Sequence, residues 1–330
     1  MLSMRMLNER YALRVLAFVL IAGACSGSSD APAPESTSTS TGAPVTTSSL
    51  VVASTAPVST TTTTAPVGEA SEELTDFLIT TYEMLADRLV VQGDPVIASD
   101  PQLGLERMAQ FSDEWFSLRA PEEAQQMYLD SITVWSALLS GYENWVSNNA
   151  DAGGDETFLR LSFNEFQRVL NKFARNLAVV QASQAELSIS VLSGRVSDPA
   201  AAYTVEALRL DIASTDASNR ILAAVGALNS LADQDAVRAD LASAVEDFAA
   251  FAQRWRELDV PPEFVDLNGR IVGGIDTTAS LYREMLAVMD TDAAALDIVV
   301  GRLQTEGRSA QRLAVDRLRI LADVLRGSSN

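Results

Sequence analysis

The sequence predicts an all-α protein, and three observations predict it. From residue 71 onward apolar residues recur at spacings of three and four, without the strict alternation of a half-buried strand. The six prolines of that stretch stand only where such periods begin or end, as befits a residue that cannot donate to a helix. The helical pattern then returns 140 residues later, which points to a tandem duplication of a four-helix unit, about eight helices in all.

In chain order, the first feature is the apolar run Val15 to Cys25, reading VLAFVLIAGAC. Eleven residues make about 16 Å of helix, about half the hydrocarbon thickness of a membrane. Arg5, Arg10 and Arg14 precede the run and the small residues Ala22, Gly23 and Ala24 close it, the three regions of a secretory signal peptide. The segment Ile21-Ala22-Gly23-Ala24-Cys25 resembles the lipobox of bacterial lipoproteins, with Ala22 where leucine is commonest. The resemblance implies that residues 1–24 are removed and that the Cys25 sulfur carries a diacylglyceryl group. It also implies an exported protein held on the outer face of the bacterial cell membrane. Cys25 is the only cysteine, so no disulfide competes for it. Each buried CH₂ adds ~0.8 kcal/mol, and two or more acyl chains, palmitate among them, anchor firmly.

Residues 25–70 form the expected stalk. Twenty-one serines and threonines and five prolines leave too few apolar side chains for a core, so the segment is expected to be disordered. As an extended polyproline helix it reaches about 140 Å, and as a flexible coil about 40 Å. Thr60 to Thr64, between Pro57 and Pro66, resemble mucin-like stalks that carry O-linked sugars, although an unmodified tether fits equally well.

Charge and composition exclude several functions. With 24 basic and 44 acidic residues the net charge is −20, and the leader holds three of the basic residues and one of the acidic ones. A phosphate backbone would be repelled, so no nucleic-acid partner is expected. The absence of histidine removes serine and cysteine triads, HExxH zinc sites and the di-iron ExxH bundle. No cofactor or metal is expected. The acidic groups Asp151, Asp155, Glu156 and Asp290, Asp292, Asp297 lack the glycine and terminal glutamate of a calcium loop and are read as helix caps.

The first helix opens at Ser71 with Glu72 and Glu73 and stops at Gly93-Asp94-Pro95. Asp100-Pro101 caps the second, whose seam is Gly104, Met108, Phe111, Trp115 and Leu118. Pro121 opens the third, with seam Tyr128, Ser131, Trp135, Leu138, Tyr142 and Trp145 up to Gly153-Gly154. The fourth, capped by Asp155, keeps heptad spacing through Phe166, Leu170, Phe173, Leu177, Val180 and Gln184 and ends at Gly194. Unit 1 is therefore 71–194.

Asp198-Pro199 restarts the pattern for unit 2, 198–327. Phe111, Trp115, Leu118, Pro121 and Glu123 return as Phe251, Trp255, Leu258, Pro261 and Glu263. This corner places aromatic rings on an inner face and a proline that ends one helix and begins the next. The pattern fits two separate bundles and one continuous core equally. Unit 1 is rich in aromatic rings, whereas unit 2 uses small residues such as Ala207, Ala217 and Ala224. Gly269 and Gly273 are expected to permit a close helix crossing. The last helix, Thr291 to Arg326, is expected to run its seam through Gly307, Ala310, Ala314, Leu318 and Leu321, leaving Glu306 and Arg317 in solvent.

Tyr128, Ser131, Trp135 and Tyr142 form one stripe, and with Arg88 they are the candidate ligand-contacting residues. The core reading, with Arg88 snorkelling at the edge, is the stronger of the two. Three function classes follow: a non-catalytic envelope lipoprotein binding a protein or envelope partner, then a solute-binding or sensory bundle, then a carboxylate-only enzyme. No carboxylate pair stands at a spacing that supports the third.

Overall fold

The computed structural model describes residues 71–94, 100–151, 156–227, 234–289 and 292–327. The signal segment, Cys25, the stalk, Gly153-Gly154 and the Asp155 cap lie outside the described residues. Those described are all-helical, with eight α-helices and no strand. They are α1 Glu72–Gln92, α2 Pro101–Phe116, α3 Gln125–Asp151, α4 Glu156–Ser193, α5 Pro199–Ala227, α6 Gln234–Arg256, α7 Val265–Val288 and α8 Ala293–Arg326. None is long and apolar enough to cross a membrane.

Local chemistry sets the boundaries. The Ser71 hydroxyl accepts from the Leu74 amide at 3.1 Å, and Asp100 accepts from the amides of Gln102 and Leu103, with Pro101 at the first helical position. Asp198 caps α5 through the Ala200 amide at 3.0 Å, and Asp292 caps α8 through the Ala295 amide at 2.9 Å, so α8 starts at Ala293 rather than Thr291. Each proline corner makes one short 3-10 turn before its helix. In these turns the Ala124 amide donates to the Pro121 carbonyl and the Phe264 amide to the Pro261 carbonyl.

Every helix packs on its chain neighbours, and the most extensive pairing joins the first helix to the last, α1 to α8. That pairing is antiparallel: Glu83 meets Arg326, Asp87 meets Arg319 at 3.5 Å, and the Leu89 carbonyl accepts from Gln311 at 2.6 Å. α4 and α5 are the second bridge between the halves. Helices α1, α4, α5 and α8 thus form the middle, with α2 and α3 on one side and α6 and α7 on the other. One main core runs from Leu74 to Leu325 and draws on all eight helices, and a smaller one gathers Ile221, Leu241, Val245, Tyr282 and Val299 in the second half.

Two expectations are corrected. Gly269 and Gly273 lie on an exposed face of α7, and a Cβ at either would meet nothing within 4 Å. The close approaches are instead at Gly104, where a Cβ would stand 2.6 Å from the Tyr142 hydroxyl, and at Gly141, where it would stand 2.4 Å from Val169 Cγ1. The α8 seam runs as expected, with Gly307, Ala310, Ala314 and Leu318 buried, but Arg317 is buried with it and Glu306 is half-buried. Arg317 stays inside because Asp211 of α5 neutralises it there.

Candidate functional site

The aromatic stripe of α3 faces inward, and the polar atoms at its Tyr128–Ser131 end are used inside the fold. The Tyr128 hydroxyl donates to the carbonyls of Trp115 and Phe116, at 3.1 and 3.0 Å. Ser131 accepts from Trp115 Nε1 at 2.8 Å and donates to the Tyr128 carbonyl at 2.6 Å. These bonds tie the end of α2 to the start of α3 across the first proline corner. Trp135 is packed between Phe111, at 4.7 Å between ring centroids, and Phe173, at 5.1 Å. The polar groups of Tyr128 and Ser131 are therefore used by the fold itself, and Trp135 is buried beside them.

The second corner uses the same contact with different atoms. Asn268 Nδ2 donates to the Trp255 carbonyl at 3.2 Å, while its Oδ1 accepts from Tyr203. Phe251, Trp255 and Pro261 are buried, and Leu258 is partly so, as is Leu118 in the first corner.

The other end of the stripe is different. Arg88 is only 7% exposed, with its guanidinium carbon 5.5 Å from the centre of the Phe111 ring. Among the described residues it makes no ion pair, and its buried Nε has no hydrogen-bond partner. Burial pulls its pKa down to about 10, opposed by the Tyr142 hydroxyl nearby, so it stays charged at neutral pH. Tyr142 is buried against Phe166 and Trp145, and desolvation raises its pKa. Trp135 Nε1 is likewise buried without an acceptor among the described residues. Arg88 is thus buried against the aromatic cluster, its guanidinium over Phe111.

A second buried polar centre is one that sequence reasoning missed. It lies where α1, α4, α5 and α8 meet. Asp211 pairs with Arg317, whose guanidinium carbon also sits 5.3 Å from the Trp255 ring centre. Above it Tyr82 donates to Ser188 at 2.9 Å, since the Ser188 proton is given to the Gln184 carbonyl. Gln184 in turn donates to Thr81 at 2.9 Å. Burial raises the pKa of Tyr82, and it raises that of Tyr203 to about 12. The available signal was two opposite charges at core positions: Asp211 four residues after Ala207, and Arg317 three after Ala314.

Among the described residues no group of histidine, cysteine or carboxylate side chains could hold a metal ion. Comparison with known protein families, curated proteins and solved structures finds no match.

Proposed function

We propose that this chain is a membrane-anchored envelope lipoprotein. Its Cys25 carries the lipid, 25–70 is a disordered tether, and the helical body binds a protein or other envelope partner without catalysing a reaction. The observation that carries the reading is the internal bonding of the first corner. With the hydroxyls of Tyr128 and Ser131 bonded internally, recognition at this corner falls to the outer surface. That surface is strongly acidic overall and favours basic partners.

The body is further read as a duplicated four-helix unit. Equivalent contacts 140 residues apart support this: position 128 and position 268 each bond the carbonyl of the corner tryptophan. A lipid anchor and a tether followed by a rigid body hold a binding surface at a distance from a membrane.

Two measurements test the proposal. A fatty-acid probe should label the wild-type chain in cells and leave Cys25→Ala unlabelled; equal labelling removes the anchor. The purified body should bind an envelope component saturably and be stabilised by it. Chemical turnover of that component would replace binding with catalysis. One observation favours a second reading, a solute-binding bundle: the buried Arg88, whose Nε has no hydrogen-bond partner among the described residues.

A further inference from the structure

We infer that Arg88, Trp135 and Tyr142 form a binding site for a small organic carboxylate with an apolar body. The inference deepens the solute-binding reading and rests on it. Isolated charges are rarely left inside a protein, because the desolvation of an ion exceeds what its neighbours return unless an opposite charge or several hydrogen bonds compensate. Arg88 has the face of Phe111 beneath it and, among the described residues, no ion pair with a carboxylate. Such a cation–π contact returns about 2 kcal/mol when desolvated, short of the several kcal/mol lost.

Asp100 acts electrostatically on Tyr142. Its Oδ1 already accepts from the Gln102 and Leu103 amides at the start of α2. The fold therefore presents two buried N–H donors without acceptors among the described residues, Arg88 Nε and Trp135 Nε1, both on groups packed against one ring, Phe111. A carboxylate is the acceptor that matches a guanidinium, because its two oxygens meet parallel N–H bonds. Phe111, against Trp135, and Phe166, against Tyr142, make the surroundings of these groups apolar. Gly104 lets the Tyr142 hydroxyl come close to α2, where any side chain would push it away.

An internal alternative exists and is testable. Gln92, one turn after Arg88, has a buried Oε1 without a partner among the described residues, and a rotation of either side chain could join the two.

The experiment uses the full chain, with benzoate as probe and benzyl alcohol as its neutral counterpart at matched ionic strength. Benzoate should raise the melting temperature and change the tryptophan fluorescence, and benzyl alcohol should do neither. Arg88→Met should fold with an unchanged or higher melting temperature and lose benzoate affinity about ten- to a hundredfold, the range of a charged hydrogen bond. Trp135→Phe should lose about fivefold, the worth of a neutral one. Equal stabilisation by benzyl alcohol would overturn the carboxylate and leave a solute pocket standing. No response to either compound would overturn the site and remove the support for the solute reading. Equal, non-additive destabilisation by Arg88→Met and Gln92→Met would show an internal pair, and that too overturns the site.

Discussion

Asp211 and Arg317 neutralise each other inside the core, and neither is tolerated alone. Removing one partner of a buried pair costs ~3–5 kcal/mol, whereas replacing both with apolar groups is often neutral or better. Asp211→Leu and Arg317→Met should each lower stability by about that much in urea titrations, and the double variant should recover most of it. Additive losses would mean that the two act independently. The tyrosines make a second prediction. Burial raises the pKa values of Tyr82, Tyr128, Tyr142 and Tyr203, so the folded state holds phenol protons that the unfolded state releases near pH 10. Their contribution is complete below that pH and is lost as pH rises through about 12, the value at Tyr203. Arg88 runs the other way, since its lowered pKa relieves a penalty above pH 10, but it is one group against four. Tyrosinate absorbance should therefore rise together with the loss of helical circular dichroism, and separate curves would refute the linkage. Caps such as Ser71 and Asp100 were legible in the sequence because donor and acceptor are two or three residues apart. Arg317 was not, because its partner is 106 residues away and a charge read by period alone is assigned to solvent.

At the scale of the helix, glycines of similar appearance have opposite roles. Gly269 and Gly273 face open space on α7, so alanine there should stabilise by about 0.5–1 kcal/mol through helix propensity. Gly141 on α3 meets Val169 of α4, and alanine there forces the valine to move, at a net cost of about 1–3 kcal/mol. Thermal melts of the three variants decide the signs; stabilisation by Gly141→Ala would show that the α3–α4 contact yields freely. Periodicity placed all eight helices, and prolines placed both corners, since these signals are local. Which face a small residue presents to a neighbour depends on the crossing of two helices, and spacing within one helix does not contain it. For the same reason the aromatic stripe was recognised on α3, while the split between its bonded end at Tyr128 and its other end at Tyr142, near Arg88 of α1, required α1 and α2 in place.

For the molecule as a whole, the shared core matters most. α1 belongs to the first half of the chain and packs chiefly on α8 of the second, and the main core includes residues of all eight helices. The body should therefore unfold in one transition. Trp115→Ala and Trp255→Ala, one in each half and both buried, should each lower that common transition by ~3–5 kcal/mol. Two resolved transitions, with each variant affecting only one, would mean two independent bundles. The pairing of α1 with α8 left no trace in the sequence, because contacts such as Leu89 with Gln311 join residues 222 apart. The exposed charges along it, Glu83 with Arg326 and Asp87 with Arg319, look like any solvated helix face.

That pairing also decides how the body responds to force. A pull arriving at Ser71 and directed along α1 is passed to α8 through contacts spread over the antiparallel length of both helices, from Glu83–Arg326 to Leu89–Gln311. Such a load acts on all of them at once, in shear, rather than opening them one after another like a zipper.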